Sequence, residues 1–301
     1  MEIILREFGG LGNQLFRYAA LRYYGKRYNA EMKISVDPEW NAVSFGYPRP
    51  CLFSHYSIPV PMEERTLSDR LLVTDKPWLQ TASRPIKKAL RTQVFTQQPS
   101  CRYLFVPDVP LKKNVKTLYL VGYWHTHVMV EEVAEELRAE LTLKEPAQGK
   151  NLELLEQINS TKSVAIHVRR GDCVNPETLR AELPITYYLD AITMFEQDLG
   201  DPTFFVFSDD TAFVKNYLPP NINAVFVDHN DDFSAHEDMR LMSSCRHQII
   251  ANSTFSWWAG WLNPNADKIV VAPRHWDLTP DSYYPDLLPD SWQLTDVVGE
   301  A

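Results

Sequence analysis

Two adjacent arginines follow an apolar run in the segment "AIHVRRGDC", residues 165–173. Such a run is typical of a strand buried in a parallel sheet, and open α/β sheets bind their ligands at the carboxyl ends of the strands. The run would bring His167, Arg169, Arg170 and Asp172 to that end. Because guanidinium groups bind phosphate oxygens in pairs, the two arginines indicate a diphosphate ligand.

Two other interpretations of this motif stay open. Asp172 and a second carboxylate could neutralise a purely structural arginine pair. The Arg-Gly-Asp tripeptide could also serve cell adhesion, but an adhesion loop must be exposed and this one follows an apolar strand.

A second strand-like run, "FFVFSDD", ends in Ser208, Asp209 and Asp210. A carboxylate at this position can accept hydrogen bonds from the ring N–H and the exocyclic amine of guanine, which would select guanine over adenine. The alternative is that Ser208 or Asp209 only caps the helix that follows.

A third segment, "IIANSTFSWWAGWLNP", places Asn252, Ser253 and Thr254 between a strand and a helix. Hydroxyls and backbone N–H groups at the start of a helix are suited to hold phosphate, so this turn is a second candidate phosphate site. Trp257, Trp258 and Trp261 follow at helical spacing and are expected to pack in the core.

Close to the first residue, the sequence "GGLGNQL" (9–15) precedes an apolar helical pattern. A dinucleotide-binding fingerprint requires a third glycine where Leu15 stands, which weakens assignment as a nucleotide-dependent dehydrogenase. The loop would still bring backbone N–H groups and the start of a helix close to a ligand. A structural turn, with Asn13 and Gln14 at the start of the helix, is the alternative.

Apolar runs that alternate with helical patterns predict an α/β fold. The predicted strands are 2–8, 163–168, 203–210 and 247–254, and the predicted helices are 13–28, 128–142, 184–198, 210–217, 234–246 and 254–262. The region 36–115 is expected to hold loops and short elements. A charged segment with Pro and Gly near 143–150 predicts a boundary between two domains, 1–148 and 149–301.

Composition excludes several classes of protein. The net charge of −9 argues against broad binding to nucleic acid. Four cysteines without metal-ligand spacing suggest neither a zinc site nor a disulfide framework. The first strand starts at residue 2, and no run approaches the roughly 20 apolar residues that span a bilayer. We therefore expect a cytoplasmic protein without a signal peptide or a transmembrane segment.

Together, "GGLGNQLFRYA", "HVRRGD" and "NSTFSWWAGWLN" resemble glycosyltransferase family 11, the bacterial and animal α-1,2-fucosyltransferases. The resemblance implies a GT-B-like α/β fold with two Rossmann-like domains that face a central cleft. It implies GDP-β-L-fucose as the donor, bound by 149–301, with 1–148 on the acceptor side. The reaction would be an inverting transfer to the 2-hydroxyl of a galactose-terminated oligosaccharide, without a metal or another cofactor.

The resemblance also implies roles for single residues. Arg169 would bind the β-phosphate, and His167 and Asp209 would contact the guanine. The set expected to hold the diphosphate and the fucose comprises Ser253, Thr254 and Phe255 with Gly10, Gly12, Asn13 and Gln14. From the residues themselves, Arg170, Ser208 and Asn252 join the predicted donor site.

The group that removes the proton from the acceptor hydroxyl is not fixed by the sequence. Glu177 is the first candidate, and Asp172, His125 and Glu131 are the others. Two departures from the family, Cys173 after Arg-Gly-Asp and His125 in "GYWHT", make the acceptor less certain than the donor. A protein that binds a nucleotide sugar or a carbohydrate without catalysis remains the alternative function.

Overall fold

The computed structural model describes residues 1–36, 49–74, 76–170, 182–279 and 281–297. The chain divides into two compact units. The first comprises Met1–Lys144 and Pro285–Leu287, and the second comprises Glu145–Tyr284 with the residues from Leu288 onward. The first unit therefore ends slightly before the predicted position 148 and also includes a short return of the chain near residue 286.

The first unit is built on a five-stranded sheet in the order β3-β2-β1-β5-β4, and every pair of neighbouring strands is parallel. Its strands are β1 (Glu2–Arg6), β2 (Glu31–Val36), β3 (Met62–Glu64), β4 (Thr92–Thr96) and β5 (Thr117–Val121). Its helices are α1 (Leu11–Tyr28), α2 (Leu67–Leu72), α3 (Pro77–Ala82), α4 (Arg84–Ala89), α5 (His127–Glu131) and α6 (Ala134–Glu140).

The second unit contains a six-stranded parallel sheet in the order β11-β10-β9-β6-β7-β8. Its strands are β6 (Ser163–Val168), β7 (Thr203–Ser208), β8 (Ala224–Val227), β9 (His247–Ile249), β10 (Val270–Pro273) and β11 (Gln293–Thr295). Its helices are α7 (Gly149–Ser160), α8 (Ile185–Leu199), α9 (Thr211–Tyr217), α10 (Ala235–Ser244) and α11 (Thr254–Leu262).

The core of the second unit explains why these segments become strands and helices. All six residues of β6 are buried, as expected for a central strand covered on both faces. The apolar face of α8 packs Tyr187 and Phe195 against this sheet. The Tyr187 hydroxyl lies 2.8 Å from the Ile250 carbonyl oxygen, so the helix also fixes the chain just beyond β9.

The two parallel sheets with their helices confirm the predicted α/β class with two Rossmann-like domains. The predicted burial of Trp257, Trp258 and Trp261 is confirmed as well, because all three lie in the core. The predicted helix 128–142 is instead two helices, α5 and α6. Among the described residues, no helix is long and apolar enough to cross a bilayer.

Candidate active site

In the second unit, β6 lies between β7 and β9, so the three segments singled out in the sequence share one edge of the sheet. Arg169 follows β6, and its Nη1 atom donates a hydrogen bond to Ser253 Oγ over 3.3 Å. Ser253 is the N-cap of the nine-residue helix α11, and its hydroxyl also accepts from the Phe255 N–H. A guanidinium and a helix N-terminus, both favourable to anions, thus meet at this edge.

Arg170 has a different environment from Arg169. Its Nε and Nη1 atoms donate to Glu182 over 2.6 Å and to Asp210 over 2.7 Å. Its guanidinium also stacks on the ring of Phe213. Glu182 and Asp210 are therefore carboxylates that neutralise Arg170, as the structural interpretation requires. The predicted contact of Arg170 with the donor stays a prediction.

The polar residues in the turn after β7 have different contacts. Asp210, not Asp209, caps α9, because its carboxylate accepts from the Phe213 N–H over 3.0 Å. Ser208 Oγ accepts from the Asp210 N–H over 3.0 Å, which occupies Ser208 in holding the turn. Asp209 is exposed at the edge, and its Oδ1 accepts from the Arg170 N–H over 2.8 Å. The helix-cap alternative for Asp209 is therefore wrong.

His167 lies near the end of β6 and is buried, with its ring 5.8 Å from the ring of Phe255. Burial, assisted by the nearby charge of Arg169, lowers the pKa of His167 to about 3. The imidazole is therefore neutral at physiological pH. Asn252 donates to the Trp276 carbonyl oxygen over 3.0 Å, and Thr254 begins α11 beside it.

The glycine-rich loop of the first unit joins β1 to α1. Gly9 adopts φ 91°, a conformation that favours glycine, and Gly10 is the N-cap of α1 with an extended backbone. Gln14 is fully buried: its Nε2 donates to the carbonyls of Gly9 and Pro50, and its Oε1 accepts from the Leu52 N–H. The Gln14 amide is thus enclosed and holds two chain segments together, and its predicted contact with the donor stays a prediction. Gly12 is buried and Asn13 is half-buried on the first turn of α1.

Beneath this loop lies a buried ion pair that the sequence analysis missed. The side chains of Glu7 and Arg17 are fully buried, and their closest atoms are 3.6 Å apart. Glu7 accepts from the Phe8 N–H, and Arg17 donates to the Phe8 carbonyl oxygen, so both groups hold the peptide that precedes the glycines. Burial raises the pKa of Glu7, and the charge of Arg17 opposes that shift.

The "GYWHT" segment, residues 122–126, follows β5, the strand beside β1. Gln97 Oε1 accepts from the N–H groups of Tyr123 and Trp124, over 2.9 and 2.8 Å. Trp124 adopts φ 49°, which is uncommon for a residue other than glycine. The ring of His125 is buried and packs 5.1 Å from that of Phe16, so this candidate base lies inside the unit.

Several predicted residues remain untested by this geometry. Asp172 and Glu177, predicted to act in catalysis, lie outside the described residues, as does Cys173. Glu131 is exposed on α5. Within the described ranges, no group of three or more His, Cys, Asp or Glu side chains is arranged to hold a metal ion.

Comparison with known proteins shows the family. Residues 44–284 match the model of the glycosyl transferase family 11. The chain belongs to glycosyltransferase family 11. The matched range begins after the glycine-rich loop and includes all three strand ends of the second unit.

Among related proteins, the α-1,2-colitosyltransferase of Escherichia coli is 30% identical over 96% of this chain and 97% of its own. The O-antigen biosynthesis glycosyltransferase WbnK of the same species is 41% identical over 41% of each chain. Galactoside α-(1,2)-fucosyltransferase 2 of Mus musculus is 25% identical over 89% of this chain and 70% of its own. The fucosyltransferase NodZ from Bradyrhizobium is 16% identical over 86% of this chain and 91% of its own, with a TM-score of 0.49.

Proposed function

We propose that this family 11 glycosyltransferase transfers L-fucose from GDP-β-L-fucose to the 2-hydroxyl of a terminal β-galactose. The transfer inverts the configuration at the anomeric carbon and forms an α-1,2 linkage. The observation that carries the proposal is the contact of Arg169 with Ser253 at the N-terminus of α11. That arrangement is suited to a diphosphate at the carboxyl edge of the second sheet.

We propose that the donor binds at this same carboxyl edge of the second sheet. The β-phosphate lies against Arg169 and the first turn of α11, and the guanine lies near His167 and Asp209. The neutral His167 ring can take part in hydrogen bonds without adding a second positive charge. The Asp209 carboxylate, exposed and held by the Arg170 backbone, can accept from a guanine N–H.

Catalysis then depends on charge at the leaving group. Breaking the bond between the fucose C1 atom and the phosphate oxygen leaves negative charge on the β-phosphate. A fixed guanidinium and the helix N-terminus stabilise that charge more strongly in the transition state than in the ground state. We propose that this stabilisation makes the reaction independent of a metal ion.

The test is release of GDP from GDP-fucose in the presence of lactose, with excess EDTA in one series. The expected result is equal turnover in both series and an α-1,2-linked product on linkage analysis. GDP binding without turnover on any galactose-terminated acceptor would instead support a non-catalytic binding protein. A loss of more than about tenfold in EDTA that Mg²⁺ restores would contradict metal independence.

A second donor is favoured by one observation, the similarity over nearly the whole chain to a colitosyltransferase. Colitose is L-fucose without its 3-hydroxyl, so both sugars would carry the same GDP group and the same stereochemistry at C1. Competition between GDP-fucose and GDP-colitose for one acceptor separates the two donors. A higher kcat/KM for GDP-fucose than for GDP-colitose supports a fucosyltransferase.

A further inference from the structure

A cavity of about 680 Å³ lies within the first unit, along the edge strand β4. Part of its lining is apolar, with Leu72 and Val73 at the end of α2, Val94 in β4 and Val121 in β5. These side chains belong to a small apolar cluster packed on Tyr119. The cavity therefore has an apolar part, and all its described lining residues belong to the first unit.

The rim of the cavity is strongly basic. Six of its described lining residues are cationic: Arg84, Lys87, Lys88, Arg91, Lys112 and Lys113. None of the described lining residues is acidic, although the whole chain has a net charge of −9. Burial and the charges of Lys112 and Arg84 lower the pKa of Lys87, as expected where like charges are crowded.

Large apolar side chains project into solvent beside these cations. Trp78 on α3 is 66% exposed, and Ile86 and Leu90 on and after α4 are 41% and 53% exposed. Single exposed apolar residues are ordinary, but three within one short basic segment are not explained by packing of the unit. We call residues 77–91 together with Lys112 and Lys113 the basic apolar surface.

We propose that the basic apolar surface binds the surface of an anionic lipid bilayer. Trp78, Ile86 and Leu90 enter the boundary between headgroups and acyl chains, where tryptophan is favoured. The surrounding cations contact lipid phosphates, and the basic rim of the cavity accommodates a headgroup. Charge complementarity favours this occupant because the surface is cationic, and a second copy that met it with the same surface would bring like charges together.

The test is co-sedimentation of the full chain with two kinds of vesicle, phosphatidylcholine alone and phosphatidylcholine with an equal amount of phosphatidylglycerol. Binding is expected only to the anionic vesicles and should weaken as salt increases. In Lys87→Gln/Lys88→Gln, each lost charge should weaken binding about fivefold, which corresponds to about 1 kcal/mol. Trp78→Ser should also weaken binding, because it removes the inserted ring.

The matched control is Lys150→Gln/Lys215→Gln, which removes two half-exposed lysines that flank Asp228 in the second unit. Binding of this variant should equal that of the parent. The proposal is overturned if anionic vesicles are not bound, or if the control weakens binding as much as the test pair. The proposal is also overturned if Trp78→Ser binds anionic vesicles like the parent, since adsorption would then be purely electrostatic. It is overturned as well if Trp78→Ser leaves vesicle binding unchanged and alters only self-association of the chain in ultracentrifugation.

Discussion

At the scale of single residues, the two adjacent arginines have different partners and should behave differently. Arg169 reaches Ser253 at the start of α11, whereas Arg170 is bound by Glu182 and Asp210. We expect Arg169→Lys to lower kcat by about 10²–10³-fold, because lysine keeps the charge but loses the planar fork that meets the leaving phosphate. GDP affinity, measured by calorimetry, should fall much less than turnover.

Arg170→Lys is the control for this prediction. This substitution should affect stability rather than turnover. The free energy of unfolding should decrease by about 1–3 kcal/mol, because charge-assisted hydrogen bonds are lost. Turnover of the folded variant should stay near that of the parent. If Arg169→Lys keeps more than a third of the parent kcat while Arg170→Lys is inactive, the two roles have been exchanged.

The buried His167 gives a prediction for pH. Its folded pKa of about 3 lies below the ordinary value of 6.5, so acid protonates this histidine in the unfolded chain before it does so in the folded chain. Stability is therefore lost as pH falls below the ordinary value, by about 1.4 kcal/mol per pH unit for this site. The His167→Asn variant has no ionisable group at this position. Its free energy of unfolding should therefore fall less steeply than that of the parent between about pH 6 and pH 4.

Urea denaturation at a series of pH values measures this difference in slope. All other ionisable groups contribute similarly to both proteins, so the comparison isolates His167. Parallel stability profiles for parent and variant would show that the folded His167 accepts a proton near its ordinary pKa.

Predictions for single residues succeeded where the position of a residue relative to a strand end decides its place in the fold. The apolar runs placed His167, Arg169, Asp209 and Ser253 at one sheet edge, and the structure does bring them there. Which arginine is neutralised depends on Glu182 and Asp210, which follow Arg170 by 12 and 40 residues and have no fixed spacing from the motif. The burial of Gln14 was likewise not predictable, since its partners at 50–52 come from a region without periodicity.

At the scale of elements, two glycines differ in what surrounds them. A Cβ atom on Gly122 would lie 2.5 Å from Gln97 Cβ, whereas one on Gly10 would lie 3.6 Å from its nearest neighbour, in Arg49. Gly122→Ala should lower the free energy of unfolding by about 1–3 kcal/mol, because it displaces the side chain that orients the "GYWHT" turn. Gly10→Ala should change it by less than about 0.5 kcal/mol.

The pair of variants also tests the glycine-rich loop. Because Gly10→Ala fits the fold, a loss of kcat/KM in this variant reports a close approach of substrate to the loop. Urea denaturation and steady-state kinetics on both variants provide the data. Full activity of Gly10→Ala would remove Gly10 from the predicted donor site.

Elements with continuous apolar runs were predictable, and short ones were not. The predicted strand at 163–168 matches β6, and the predicted helix at 254–262 matches α11, because burial on all sides leaves a long apolar signal. β11, with three residues of which none is fully buried, carries no such signal. The break between α5 and α6 falls at Val133, whose backbone leaves the helical conformation without any proline or glycine.

At the scale of the whole molecule, composition and alternation were sufficient to predict two α/β domains. They could not predict that Pro285–Leu287 belongs to the first unit, since three residues carry no periodic pattern. There, Asp286 Oδ2 accepts from the Phe105 N–H over 2.8 Å, and its carbonyl accepts from the His127 N–H over 2.7 Å.

This return affects the order in which the protein can fold during synthesis. Domains usually fold as units, the N-terminal one first, as the chain leaves the ribosome. Here the N–H groups of Phe105 and His127 form hydrogen bonds to Asp286 only after that residue has been translated. Asp286 follows every strand of the second sheet except β11 along the chain. The first unit therefore gains these two hydrogen bonds only after most of the second unit has been translated.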